Sequence, residues 1–531
     1  MTTENYKNLQ DNKCMNTRQI KIGSIMSYCS IAISIIINLL YTPVMIRILG
    51  QNEYGLYNTV ASTISTLSVL NLGFGSSYIR FYSKFKEEDN FQEIKRLNGL
   101  FLLIFCCIGS IALVCGLFLT FNLHIVFSTG LTQDEYSVAG VLMLIMTINL
   151  ALSFPLSVFT SIVSAHERFI FQKAVSIIHQ VLSPLVTLPL LLMGYRSVAI
   201  VCVSFALTVL SGAINIYYVL YVLREGFSFR NINRAIVKSL FSFTFFIAIN
   251  IIIDQINWNI DKILLGRYKG TSEVAIYSVG YILYFMYMQF SSSMSSMFTP
   301  RIHRIVNEYS DQKETLLKEL TNIFTKVGRI QFSILLLVAS GIVFFGSAFI
   351  TCFWVGTGYE MSYYVALLLI IPATIPLIQN LGIEIQRAQN LHHFRSYIYL
   401  GMAVLNLIMS IFLCQIYGAV GSAIGTAVSL VIANGLVINI YYHKKCNIDI
   451  KCFWKSICSM LKGFILPCFA GIMVLIFTPK NSKFSFLIFT CEIIVYTVIF
   501  SFSFWKWSLN SDEKKLITSM VKRLSHKNPE K

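Results

Sequence analysis

Charge is what this sequence has least of. Only 13% of its 531 residues are Asp, Glu, Lys or Arg, where a soluble domain carries about 25%. With 55% of residues apolar and a mean hydropathy of +0.66, there is too little polar surface to cover a water-borne particle. A soluble enzyme, a secreted disulfide scaffold and a disordered chain are all excluded. Catalytic and nucleotide signatures are missing too. The sequence contains no G-x-x-x-x-G-K-[ST] loop to cradle a triphosphate. It has no H-E-x-x-H, no G-x-S-x-G elbow, and no Asp-x-Asp for a metal-held nucleotide sugar. Glu167 follows His166, but no second His stands where a zinc site needs one. The 13 Cys residues are odd in number, lie mostly in apolar runs and form no Cys-x-x-Cys pair. They read as small apolar filler rather than metal ligands or disulfides. No catalytic residue, metal or cofactor is expected.

What is present is apolar sequence in lengths that cross a bilayer. A spanning helix needs about 20 mostly apolar residues. Fourteen such stretches can be placed, from 22–45 and 54–79 at the start to 457–478 and 484–505 at the end. The seventh falls at 239–260, the eleventh at 396–415 and the twelfth at 418–442. Pro43, Pro155, Pro184, Pro189, Pro372 and Pro376 lie within or beside them, where neighbouring helices satisfy the freed carbonyls. The expected fold class is therefore an all-α polytopic membrane protein. No cleavable signal is expected, because the residues before the first stretch are polar and no small-residue cleavage site follows it.

Assigning the N-terminus and every second loop to one side gives that side 35 of the 42 Lys and Arg residues, and the other side 7. One missed span would swap every later loop, so the asymmetry supports the count and places both termini in the cytoplasm. The net charge of +17 is then mostly a topology signal. No nucleic-acid partner is expected, since no basic face outside the membrane is interleaved with stacking aromatics. Neither the longest outer loop, about 122–136, nor the longest inner one, about 300–329, has room for a catalytic domain. The inner one carries Glu308, Asp311, Lys313, Glu314, Lys318 and Glu319 and reads as an amphipathic or helical extension.

The sequence repeats itself. Arg47-Ile-Leu-Gly50-Gln-Asn-Glu53-Tyr-Gly-Leu-Tyr57 returns as Arg267-Tyr-Lys-Gly270-Thr-Ser-Glu273-Val-Ala-Ile-Tyr277, with Arg, Gly, Glu and Tyr at an offset of 220. Tyr195 with Ile214-Asn-Ile-Tyr-Tyr218 is echoed by Tyr417 with Ile438-Asn-Ile-Tyr-Tyr442. Six spans per repeat is an even number, so the halves share an orientation. The expected organisation is an N-terminal six-helix lobe over 1–222, a cytoplasmic linker over 223–238 and a C-terminal six-helix lobe over 239–442. Two additional helices and a cytoplasmic tail follow over 443–531, and a central cleft is the natural packing of the lobes.

Charges inside a membrane helix cost about 2.5–3.5 kcal/mol on insertion scales and usually face an interior or a wet cavity. In the seventh span Asn250, Asp254, Asn257 and Asp261 fall at i, i+4, i+7 and i+11, on one helical face. Ser27, Ser30, Ser34, Asn38 and Tyr41 make a similar stripe in the first span, and the repeat offset maps Asn250 onto Ser30 and Asp254 onto Ser34. Single serines here serve backbone satisfaction and helix packing as readily as a cavity. Asp254, six residues inside its span, points to a cavity or ion role. Asp261 and Lys262, near the outer end, are explained by a local ion pair or interfacial snorkelling about as well as by function. Glu384 and Arg387, at i and i+3, either pair with each other or line the cavity. Arg47 and Arg80 sit at span ends, where snorkelling is again an alternative.

The segment from Tyr41-Thr-Pro-Val-Met-Ile-Arg47 to Tyr57, followed by Leu70-Asn-Leu-Gly73-Phe-Gly75, resembles the Wzx-type polysaccharide flippases of the multidrug/oligosaccharidyl-lipid/polysaccharide exporter superfamily. Asp261-Lys-Ile-Leu-Leu-Gly266 with Tyr277, and Gly382-Ile-Glu-Ile-Gln-Arg-Ala388-Gln-Asn, add to the likeness. The resemblance implies a flippase rather than an enzyme, in the bacterial plasma membrane, moving undecaprenyl-pyrophosphate-linked oligosaccharide among membrane lipids for a surface polymer such as O-antigen, lipopolysaccharide or capsule. It also implies a polysaccharide polymerase as partner. For such cargo Arg47 and Arg80, then Arg267 and Arg301, are the expected pyrophosphate ligands, since guanidinium makes bidentate charge-assisted bonds to phosphate. Tyr281, Tyr284 and Tyr287 are candidates for sugar contact. Asp254 is the first candidate for carrying H⁺ or Na⁺, with Asn250, Asn257, Asp261 and Glu384 around the same cavity. A drug/cation antiporter of the same superfamily is the competing expectation.

Overall fold

The computed structural model describes residues 3–127, 131–230, 234–295, 298–309, 311–389, 391–477, 486–515 and 518–519. Among these there are helices and turns and no strand. The chain divides into two compact units, residues 1–278 with 407–422 and residues 279–406 with 423–531.

The first unit holds α1 (Thr3–Leu49), α2 (Gln51–Thr66), α3 (Phe74–Glu87), α4 (Phe91–Phe121), α5 (Leu123–Val126), α6 (Gln133–Ala165), α7 (Phe169–Leu192), α8 (Arg196–Tyr217), α9 (Arg234–Tyr268) and the first turns of α10 (Thr271–Ser295). α6 is its central helix, packed against α2, α3, α4 and α8. It starts where a capping box starts it: the Thr132 hydroxyl accepts the Glu135 N–H at 3.4 Å, and the Glu135 carboxylate accepts the Thr132 N–H at 2.9 Å. α4 lies close to it because Gly109 has no side chain, and a Cβ there would stand 2.6 Å from the Ala151 carbonyl oxygen. Phe101, Phe105, Phe154, Val158 and Ile162 fill the space around that approach with Phe74 and Tyr78.

The second unit holds the rest of α10, then α11 (Thr299–Glu308), α12 (Lys313–Ala348), α13 (Glu360–Ile378), α14 (Leu381–Ala388), α15 (His392–Leu430) apart from 407–422, α16 (Ile438–Lys445), α17 (Ile450–Met460), α18 (Ile465–Phe477) and α19 (Phe486–Trp507). Its organising helix is α12, which packs against α13, α17, α18 and α19 and contributes Phe344 and Phe345 to a cluster with Phe489 and Tyr496. The inner loop expected over 300–329 is helical: α11 buries Ile302 and Ile305 and exposes Arg301 and Arg304, and α12 begins at Lys313.

Eleven helices among the described residues are long and apolar enough to cross a membrane. Large apolar side chains such as Phe118, Phe121, Leu185, Leu192, Phe412 and Ile416 stand mostly exposed, a surface suited to hydrocarbon and not to water. The fourteen stretches read from the sequence differ from these eleven at three places. The second, 54–79, is broken. α2 ends in a 3₁₀ turn at Leu67–Asn71, and Leu72 (φ 49°) and Gly73 (φ 78°) are left-handed before α3 resumes. The eleventh and twelfth run together as Phe394–Lys445, joined through Gly418 at φ 58° and ψ −135°. The seventh coincides with α9, which lies outside the eleven and whose second half carries Asn250, Asp254, Asn257, Asp261, Lys262 and Arg267. All six prolines singled out above sit inside helices, in α1, α6, α7 and α13.

Candidate functional site

The polar face of α9 is open at one end and closed at the other. Asn250 and Asp254 are exposed, Asn257 is half-buried, and Asp261 is buried. The Asn257 side-chain oxygen is shielded and has no hydrogen-bond partner among the described residues, a cost that a buried amide normally avoids. Beside it the Gln255 amide donates to the Ser68 hydroxyl at 2.9 Å and accepts from the Asn259 amide at 2.5 Å, fixing α9 against the turn that follows α2.

One of the alternatives read for Asp261, interfacial snorkelling, does not fit its place. A snorkelling carboxylate would reach the interface, but Asp261 is 1% exposed and accepts hydroxyl protons from Tyr277 at 2.8 Å and Ser410 at 2.6 Å. In the first repeat the corresponding residue is Tyr41, one offset before Asp261, with Thr187 and Tyr57 near it. The stripe on α1 is also occupied. Ser30 and the Gln180 side chain exchange hydrogen bonds at 3.1 and 2.9 Å, and Ser27 bonds to the Gly23 carbonyl.

Of the four arginines, Arg47 in the last turn of α1 and Arg80 in α3 are exposed, as is Arg301 in α11 of the second unit. Arg267, half-buried at the end of α9, donates to the Ile125 carbonyl at 2.7 Å. Glu384 takes a hydrogen bond from Arg387 at 2.7 Å in its own helix, the pairing alternative read from the sequence. Tyr284 and Tyr287 are withdrawn from solvent, at 4% and 1% exposure, and the Tyr287 hydroxyl lies 2.7 Å from that of Thr374. Only Tyr281 of that trio is half-exposed.

Other polar groups escaped the sequence. Glu53 accepts the Ser197 N–H at 2.9 Å and pairs with Arg196, and Glu273 accepts the Ala419 N–H at 2.7 Å. Arg395 donates to the Tyr399 hydroxyl at 2.5 Å and the Tyr442 hydroxyl at 3.3 Å, and the Tyr399 hydroxyl donates to the Asn434 side-chain oxygen at 2.9 Å. Arg329, 3% exposed, donates to both oxygens of Glu513 at 2.6 and 2.9 Å and to the carbonyls of Ser508 and Ser456. The glutamates stood in the repeat, but the N–H groups they cap are set by tertiary packing. Arg329 and Arg395 were counted only as loop charges.

A family model described as polysaccharide biosynthesis protein matches residues 21–306. The chain belongs to the polysaccharide biosynthesis protein family. No curated protein matches it by sequence. Among solved structures it is similar to the lipid II flippase MurJ in an inward closed conformation, at 16% identity, with 91% of this chain and 99% of that one covered and a TM-score of 0.66. It is similar to an inward-facing multidrug resistance MATE family transporter at 14% identity, covering 81% and 99%, with a TM-score of 0.59. A third likeness is to the Vibrio cholerae MATE transporter VcmN in its bent form, at 17% identity, covering 82% and 99%, with a TM-score of 0.53. At these identities the likeness is one of fold: this family member shares the fold of those flippase and transporter structures.

Proposed function

We propose that this chain is a flippase that carries undecaprenyl-pyrophosphate-linked oligosaccharide across the bacterial plasma membrane for surface polysaccharide synthesis. The observation that carries the reading is the polar face of α9 in a member of the polysaccharide biosynthesis family: Asn250 and Asp254 stand open in a chain that otherwise shows hydrocarbon-loving surface. Such cargo has a pyrophosphate and a glycan that cannot cross hydrocarbon and a tail that need not leave it. Arg47 and Arg80, both exposed, are the first ligands for the pyrophosphate, with Arg267 and Arg301 after them. Both termini lie in the cytoplasm, as the 35-to-7 division of basic residues supports. Transport proceeds by alternating access coupled to an H⁺ or Na⁺ gradient through Asp254, and the product passes to a polysaccharide polymerase.

The test is the appearance of a labelled undecaprenyl-pyrophosphate oligosaccharide in the outer leaflet of vesicles, with and without the protein and with and without each gradient. Protein-dependent appearance is expected. Its absence across several glycans, together with gradient-linked uptake of organic cations, would replace the flippase with a drug/cation antiporter.

A further inference from the structure

A second polar recess lies wholly within the first unit. It is about 460 Å³ in volume and lies between α6, α7 and α8, where Thr160, Lys173, Ser176, His179, Ser211 and Asn215 line it. Its floor is one face of α7. Lys173, Ser176 and Gln180 follow at i, i+3 and i+7, with His179 beside them, so two turns of a membrane-length helix are polar on the side where packing alone asks for apolar residues.

Some of this polarity is already used. Gln172 donates to the Ser164 hydroxyl at 2.9 Å, Gln180 is engaged with Ser30, Ser211 bonds to the Leu207 carbonyl, and the Asn215 amide donates to the Ser211 carbonyl at 2.8 Å. Lys173 and His179 are different. Neither makes a hydrogen bond or ion pair among the described residues, and no Asp or Glu lines the recess. A wall of two basic side chains with hydroxyls and amides, and no carboxylate, is matched to phosphate oxygens and sugar or glycerol hydroxyls.

The repeat shows that the fold does not require the polarity of His179 and Gln180. Phe171 stacks on Tyr218 with ring centroids 3.8 Å apart, and Phe394 stacks at 4.1 Å on Tyr441, the neighbouring tyrosine of the echoed Tyr-Tyr pair, so α7 and the start of α15 correspond at an offset of about 223. At that offset Ser176, His179 and Gln180 become Tyr399, Met402 and Ala403. The equivalent helix has apolar Met402 and Ala403 in place of His179 and Gln180, and carries Arg395 and Ser396 where Gln172 and Lys173 stand.

We infer that the recess is a binding site for a phosphorylated, hydroxyl-rich lipid headgroup, separate from the arginines assigned to the pyrophosphate above. Lys173 holds the phosphate at the end of α7, and His179, about 9 Å further along the axis, reaches the hydroxylated part with Ser176 and Asn215. Two lipids present this chemistry in a bacterial membrane: a glycan linked through pyrophosphate to polyprenol, and phosphatidylglycerol.

The experiment is native mass spectrometry of the purified full-length chain in detergent. It is titrated separately with undecaprenyl-pyrophosphoryl-N-acetylglucosamine, dilauroyl phosphatidylglycerol and dilauroyl phosphatidylcholine. At least one of the first two is expected to bind about tenfold or more tightly than phosphatidylcholine. Lys173→Gln/His179→Gln is expected to lose about that factor with melting unchanged. A second variant, Ser176→Tyr/His179→Met, installs the residues of the equivalent helix and fills the recess; it carries the test if the first fails to fold. Preference for the glycan lipid identifies the transported lipid as occupant, and equal or greater affinity for phosphatidylglycerol identifies a bulk lipid; either supports the site. Equal affinity for phosphatidylcholine, or affinities that neither variant changes, would overturn it. Binding is read without transport, so loss of flipping in vesicles and loss of this site are separate results.

Discussion

Glu273 accepts the Ala419 amide proton at 2.7 Å, and one repeat earlier Glu53 accepts that of Ser197 at 2.9 Å. In both places the residue before the donor is left-handed, Gly418 at φ 58° and Arg196 at φ 51°. Each glutamate thus caps a helix that begins abruptly after a reversed turn, placing negative charge against the positive end of its dipole. This is the physical content of the Arg-Gly-Glu-Tyr repeat.

Removing either cap therefore has a defined cost. Glu273→Ala and Glu53→Ala are each expected to destabilise the protein by about 1 kcal/mol, within the range for lost N-caps, while the Gln variants keep an acceptor oxygen and most of the stability. Gly418→Ala should cost at least as much, because its φ is left-handed and its Cβ would collide with the Glu273 carboxylate. Thermal melting in detergent checks all five variants. Melting of Glu273→Ala at the wild-type temperature would remove the capping role.

Much of this was legible in the sequence, and what was not has physical reasons. The spans, prolines and repeat follow from hydropathy and spacing, which act locally along the chain. The break at Leu72 and Gly73 was hidden because 54–79 carries no charged residue, and hydropathy does not report a left-handed residue. The sequence left the surroundings of Asp261 open because it shows only Lys262 beside it, whereas Tyr277 and Ser410, its hydroxyl donors, stand 16 and 149 residues away. Arg47, Arg80 and Asp254 were legible as candidates from residue type and position, and their exposure is compatible with a ligand role. The recess on α7 went unread because its residues come from three helices and only Lys173 among them carries a full charge.

Arg329 anchors the last two membrane helices through Glu513. Both side chains are buried, and the bidentate pair is supported by two backbone carbonyls. Breaking one partner leaves the other charge uncompensated, at a cost of about 3–5 kcal/mol. Arg329→Ala is expected to lower the melting temperature sharply and to release the chain after α19 to limited proteolysis. Arg329→Met/Glu513→Met, which removes both charges, should recover much of the loss. If the double variant is no more stable than Arg329→Ala, the pair is not what holds α17 and the chain after α19.

Cys446 supplies a pH test outside the spans. It is fully buried just beyond α16, and burial pushes its thiol up to about 12. Only the thiolate reacts, so maleimide at neutral pH should label the exposed Cys452 and Cys458 of α17 and leave Cys446 untouched until the protein is unfolded. The linkage has the matching sign. The folded state keeps a proton that the unfolded chain releases near pH 9, so this contribution is complete below that pH and declines as pH rises towards 12. Peptide mapping after labelling decides it; rapid modification of Cys446 in the folded protein would contradict the burial.

Asp254 and Asp261 lie two turns apart on α9 and should separate transport from folding. Asp254 is exposed, and Asp254→Asn removes its charge while keeping the side chain's size and one acceptor oxygen. Its effect on stability should be small, within about 0.5 kcal/mol as for surface substitutions generally. Asp261 accepts two hydroxyl protons while buried. Asp261→Ala leaves the Tyr277 and Ser410 hydroxyls without their acceptor, at about 1–3 kcal/mol for each buried group left unsatisfied. The expected pattern is therefore crossed. Asp254→Asn folds like the wild type, and its flipping in vesicles no longer responds to a proton or sodium gradient. Asp261→Ala melts earlier, and the molecules that remain folded keep their gradient response. Unchanged gradient dependence in Asp254→Asn would take the coupling role from this carboxylate, whatever Asp261 does.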